Sequence, residues 1–120
     1  MCGIIGISSN KSVSANIIDC LKKLEYRGYD SAGIATLSGG IINEVKSEGR
    51  VDNLEKNFDL KKLSGNIGIG HVRWATHGIP NSVNAHPHSS DNVSVVHNGI
   101  IENSTLLKKH LVSKGHIFKS

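Results

Sequence analysis

Apolar residues recur along this chain with two different periods, and the switches between them mark its elements. Residues 2–8 (Cys-Gly-Ile-Ile-Gly-Ile-Ser) form a short apolar run suited to a buried strand. Ile17, Ile18, Leu21 and Leu24 then fall at helical spacing, which predicts a helix over 14–25 with Ser12 or Ser14 available as its cap. After a polar turn, Tyr26-Arg27-Gly28-Tyr29-Asp30, residues 31–38 and 41–47 read as two strands joined by the hairpin dipeptide Gly39-Gly40. The spacing of Val51, Leu54 and Phe58 predicts a helix over 51–62 that ends before Gly65. Residues 67–73 (Ile-Gly-Ile-Gly-His-Val-Arg) fit a strand whose glycines admit another backbone close by.

A polar loop, 74–91, contains both prolines, and loops of that length in compact domains tend to be functional. Residues 93–97 read as a strand, and 103–114 as a helix with Asn103 or Ser104 at its start and Gly115 after it. His116 to Ser120 look like the opening of a further strand with no partner left in the sequence. The order of elements predicts the α+β class: a sheet, at least partly antiparallel because of the hairpin, with helices packed on it. The expected unit is a single domain over 2–120, and the fold is expected to continue past its end.

Composition narrows the classes. One Trp, two Tyr and two Phe leave any core to Ile, Leu, Val and Ala. The net charge of +4 is spread over pairs such as Lys22-Lys23, Lys61-Lys62 and Lys108-Lys109, with no basic run interleaved with aromatics, which argues against nucleic-acid binding. No window approaches the length of a membrane span, and the N-terminus lacks the segments of a signal peptide. Of the two cysteines, Cys20 sits among apolar helical positions and reads as a buried small hydrophobe. These features predict a reduced, cytoplasmic protein.

Three places carry candidate chemistry. If Met1 is removed, Cys2 presents a thiol and a free α-amine on one residue, and an α-amine of ordinary pKa about 8 can serve as base to the thiol; Cys2 also reads as an incidental buried residue. In His71-Val-Arg-Trp-Ala-Thr-His-Gly78, Arg73 can grip a carboxylate bidentately, Thr76 can assist and Trp74 can cap a small ligand. An ion-paired surface Arg and a core Trp fit equally. Asn98-Gly99 is either a type I′ turn or a pair of donors for a developing oxyanion. His71, His77, His86, His88 and His97 lie within 27 positions, but the segment has no Cys pair at ligand spacing and one carboxylate, Asp91, so no metal or other cofactor is expected.

Together these segments resemble one family. Residues 2–7 resemble the start of class II glutamine amidotransferases, which are N-terminal-nucleophile hydrolases. Glu25-Tyr-Arg-Gly-Tyr-Asp-Ser-Ala-Gly33, His71 to Gly78, Asn84-Ala-His-Pro-His88 and Val95-Val-His-Asn-Gly-Ile-Ile-Glu-Asn103 are similar to the glutamine–fructose-6-phosphate aminotransferases. The purine-pathway enzymes typically show Tyr-Ser-Thr where this chain has Trp74-Ala-Thr76. The resemblance implies part of a four-layer αββα sandwich of largely antiparallel sheets with helices outside. It implies Cys2 as nucleophile on L-glutamine, Asn98 and the Gly99 N–H as oxyanion donors, and Arg73, Trp74, Thr76 and His77 as substrate-binding residues. Arg27 would position the N-terminus.

The family's acidic residue for the substrate α-amine lies in a Thr-Asp motif beyond Ser120. Fructose 6-phosphate would be handled by sugar-isomerase domains absent here, and homo-oligomers would form through the same missing region. The 120 residues by themselves are therefore expected to be inactive. Another class II amidotransferase of purine type, a non-catalytic remnant and one half of a split enzyme are the alternative readings.

Overall fold

The computed structural model describes all residues, Met1–Ser120. Its centre is a four-stranded antiparallel sheet in the order β1-β4-β2-β3, formed by Gly3–Ser8 (β1), Ser31–Ser38 (β2), Ile41–Glu48 (β3) and Ile67–Arg73 (β4). Gly39 and Gly40 turn the β2–β3 hairpin with φ of 57° and 80°, the left-handed pair that only residues without a Cβ adopt freely. β4 runs between β1 and β2, with Gly3 opposite Val72 and Ser31 opposite Arg73.

Helix Ser14–Leu24 (α1) covers one face of this sheet and buries Ile17, Ile18 and Leu21 against Ala32, Ile34 and Val72. Gly68 and Gly70 project toward it, and a Cβ on either would lie 2.7 Å or 2.6 Å from Ile17. The β4 glycines thus admit a helical side chain, not the second backbone expected from the sequence. Val51 and Leu54, at the start of helix Asp52–Asn57 (α2), close the edge of the core. Glu25, in a 3₁₀ turn after α1, accepts the Val51 N–H at 2.6 Å and the Arg50 guanidinium at 2.8 Å. α1 begins without the serine cap anticipated for it.

The expected helix over 51–62 breaks in two. Phe58 is extended, and the Asp59 carboxylate accepts the Lys61 N–H to start a separate 3₁₀ turn, Leu60–Lys62. A short-range side-chain acceptor here wins over continued helix. The long loop closes earlier than expected, because His88–Ser90 (β5) pairs with Val93–Val95 (β6). β6 stops short of 97 because the His97 carbonyl turns to the His71 ring instead of a strand. Helix Ser104–Ser113 (α3) ends near Gly115, and His116 N–H bonds back to Leu111. Residues 116–120 form no strand. Cys20 is half-buried and, like Cys2, a free thiol.

Side chains alternate across the strands, so Cys2, Ile4, Gly33, Ala35, Leu37, Ile67, His71 and Arg73 face away from α1. The 74–91 loop folds under one end of this second face, burying Ala85 and Pro87. On the same face Ile4, beside His71 on the edge strand, stays 42% exposed, and toward the other end Leu37 and Ile67 stay 37% and 46% exposed. α3 is exposed along its length except for half-buried Leu111.

Candidate active site

Antiparallel register puts the residue before β1 opposite the last residue of β4, so Cys2 meets Arg73 and Trp74 from 71 and 72 positions away. The Trp74 N–H points at Cys2 Sγ from 3.4 Å, and the thiol lies 3.7 Å from the Trp74 carbonyl. The Cys2 carbonyl accepts two side-chain donors: Arg27 Nε at 3.1 Å and Asn98 Nδ2 at 3.2 Å. Arg27 thus donates to the backbone of residue 2, the segment that the resemblance expects it to position.

Asp30 braces the other side. Its N–H donates to the Arg73 carbonyl at 3.1 Å, and its carboxylate accepts the Ala75 N–H and the Ser31 hydroxyl. Gly28 lets this turn press on the end of β4, since a Cβ there would lie 2.9 Å from both the Arg73 carbonyl and Trp74 Cβ. These roles were legible only as a turn beside the N-terminus; the dipeptide Arg27-Gly28 before an Asp was the available signal.

Arg73 is buried, and its guanidinium donates to the His77 carbonyl and, at 3.3 Å, to the Ile79 carbonyl. No carboxylate pairs with it. A guanidinium carries five N–H donors, and these two bonds shape the 77–79 turn while leaving others for a ligand. Trp74 is half exposed and meets Tyr29 edge-on at 5.9 Å, so it is a surface flap and not a core Trp. Thr76 Oγ1 lies 3.1 Å from His77 Nδ1. The Asn98-Gly99 pair is not a hairpin turn between paired strands; it bends from β6 toward α3 and brings the Asn98 amide to Cys2.

Cys2, Arg73, Trp74, Thr76, His77, Asn98 and Gly99 all line one cleft of about 730 Å³, with Glu102 also on its wall. His71 and His86 form its floor, and sequence reasoning had assigned them no role. Burial depresses the His71 ring to about 4 and His86 to about 3, and also lowers His88. His71 and His86 stack while His88 meets His86 edge-on, and no cluster of three or more His, Cys, Asp or Glu is arranged to hold a metal ion.

The fold is that of the glutamine amidotransferases with an N-terminal nucleophile. It superimposes with TM-score 0.82 and 31% identity on the glutamine phosphoribosylpyrophosphate amidotransferase from B. subtilis complexed with ADP and GMP, covering 98% of this chain and 26% of that one. A structure described as the allosteric regulatory enzyme of purine biosynthesis gives TM-score 0.85 and 32% identity over the same shares. No protein-family model matches the chain.

Sequence relatives are more particular. The chain is 58% identical to the glutamine–fructose-6-phosphate aminotransferase (isomerizing) of Clostridium acetobutylicum, 56% to that of Pyrococcus horikoshii and 55% to that of Mesorhizobium japonicum. Each match takes in all of this chain and 20% of the relative. The chain belongs to the glutamine–fructose-6-phosphate aminotransferase family, matching its N-terminal glutamine amidotransferase region. It spans about a fifth of the length of the curated relatives it matches.

Proposed function

We propose that this chain carries the glutamine-hydrolysing site of a glutamine–fructose-6-phosphate aminotransferase, with Cys2 as nucleophile after Met1 is removed. The observation that carries the reading is the position of Cys2 Sγ. It sits against the Trp74 N–H in a cleft that also presents the Arg73 guanidinium and the Asn98-Gly99 donors.

The chemistry follows from these groups. The freed α-amine of Cys2 takes the thiol proton, and the sulfur attacks the side-chain carbonyl carbon of L-glutamine. The oxyanion that forms is stabilised by Asn98 Nδ2, whose second N–H is not used on the Cys2 carbonyl, and by the Gly99 N–H. The amine proton passes to the departing nitrogen, ammonia leaves, and a γ-glutamyl thioester remains. Water then attacks the thioester and releases glutamate and the thiol. Arg73 holds the substrate carboxylate, with Thr76 and His77 beside it, and Trp74 covers the cleft. In the complete protein the ammonia is passed to fructose 6-phosphate bound by further domains, giving glucosamine 6-phosphate in the cytoplasm, where Cys2 stays reduced.

Intact mass tests the first requirement, since the active form lacks the initiator Met. A chloroketone analogue of glutamine should then add one label to the protein, at Cys2 and not at Cys20, and Cys2→Ala should abolish labelling. Retention of Met1, or labelling elsewhere, contradicts the assignment.

A second reading, in which these residues are one half of a split enzyme, is favoured by the exposed Ile4, Leu37 and Ile67 on the sheet face opposite α1. It expects no turnover from the chain alone and recovery of ammonia release on mixing with the remainder of an aminotransferase glutaminase domain. Turnover by the chain alone rules it out.

A further inference from the structure

His71 is fully buried in β4, two residues before Arg73 and on the same face of the sheet. Its Nε2 lies 3.1 Å from the carbonyl oxygen of His97, the residue that precedes Asn98-Gly99. A carbonyl only accepts, so Nε2 carries the proton and Nδ1 is left with a lone pair, which has no partner. The ring of His86 stacks on His71 at 4.4 Å and 26°, and His88 meets His86 edge-on at 4.5 Å. The stack is seated by Gly33 on the neighbouring strand, where a Cβ would lie 2.3 Å from the His86 carbonyl. Gly33 faces His71 across the β2–β4 pairing.

We propose that His71 is a positioning residue for the oxyanion donors: its N–H pins the His97 carbonyl, and the Gly33–His86 seat sets the depth of the ring. The His97–Gly99 segment is then anchored on both sides, by His71 below and by the Asn98 bond to the Cys2 carbonyl above. Donors contribute to catalysis only when already aimed at the charge that develops, and a turn exposed to solvent, as Asn98 and Gly99 are, needs such fixing. The inference rests on the glutaminase reading for its consequence, but the anchoring itself is a separate property.

The test compares His71→Phe, which keeps a flat ring in the stack and removes the donor, with His71→Gln, which restores a donor. Two reagents are used on the Met1-processed chain. The chloroketone analogue of glutamine adds sulfur at its carbonyl before chloride is displaced and an S–CH₂ bond forms, so it needs the oxyanion donors. Iodoacetamide alkylates the thiol directly, with loss of iodide.

The expectation is that His71→Phe slows chloroketone capture by about 10- to 100-fold while iodoacetamide alkylation changes less than about threefold. The backbone amide resonances of Asn98 and Gly99 should move, and His71→Gln should recover most of the capture rate. Unchanged capture with unmoved Asn98 and Gly99 amides overturns the proposal, as does an equal loss with both reagents in both variants. Should the unsubstituted chain ignore the chloroketone, the glutaminase reading fails by itself, and the amide shifts in His71→Phe still decide the anchoring.

Discussion

Asn98 Nδ2 lies 3.2 Å from the carbonyl oxygen of Cys2, a bond that joins residues 96 positions apart and ties one wall of the cleft to the other. One side-chain amide thus both holds the backbone of residue 2 and faces the cleft. Asn98→Ala should remove both effects. Chloroketone capture at Cys2 should fall by about 10²- to 10³-fold, with little change in the thermal unfolding midpoint because Asn98 is exposed. Capture rates and a melting curve on the same preparations check this.

Glu25 is buried and accepts both the Val51 N–H and the Arg50 guanidinium. Glu25→Ala leaves a buried backbone donor unpaired and should cost about 1–3 kcal/mol. Arg50→Ala should cost much less, because the Arg50 side chain is 67% exposed and its ion pair is screened. Urea unfolding of the two variants separates these values; equal losses would show that the ion pair dominates.

Gly33 and Gly70 lie on neighbouring strands but face opposite sides of the sheet's function. Gly70→Ala would set a methyl 2.6 Å from Ile17 in the core and should destabilise by about 1–3 kcal/mol without altering the reagent selectivity of Cys2. Gly33→Ala meets the backbone of His86, which cannot rotate away, and should shift the Asn98 and Gly99 amides as well as lower stability. Amide spectra alongside denaturation distinguish the two.

The buried histidines should make the fold sensitive to acid. The folded-state value of His71 is lowered from 6.5 to about 4 by burial. Between these values the unfolded chain binds the extra proton and the folded chain does not. Stability from this group is therefore complete above about pH 6.5 and is lost as pH falls toward 4, by on the order of 3 kcal/mol. His86, lowered to about 3, acts in the same direction. Urea midpoints at pH 7, 5.5 and 4 should decline, and His71→Gln should flatten the decline; a pH-independent midpoint contradicts it.

What the sequence settled was local. Helical spacing of Ile17, Ile18, Leu21 and Leu24, the Gly39-Gly40 turn and the apolar alternation of 67–73 each depend on neighbours a few residues away, and each element formed where expected. The segments around Cys2, Arg73 and Asn98 were likewise legible, and they line one cleft. The reading failed where a short-range competitor or a distant partner decided: Asp59 ended a helix that Phe58 had suggested, and the His71 ring took the carbonyl that a longer β6 needed.

Only the tertiary structure could show that Trp74 N–H meets the Cys2 sulfur, that Arg73 is buried yet free of any carboxylate, and that Gly33 makes room for His86. Those facts belong to strand register and to packing between segments far apart in the chain. Spacing along a sequence fixes which side chains share a face; it does not fix which faces meet, because that depends on shape and on polar groups finding partners once water is excluded.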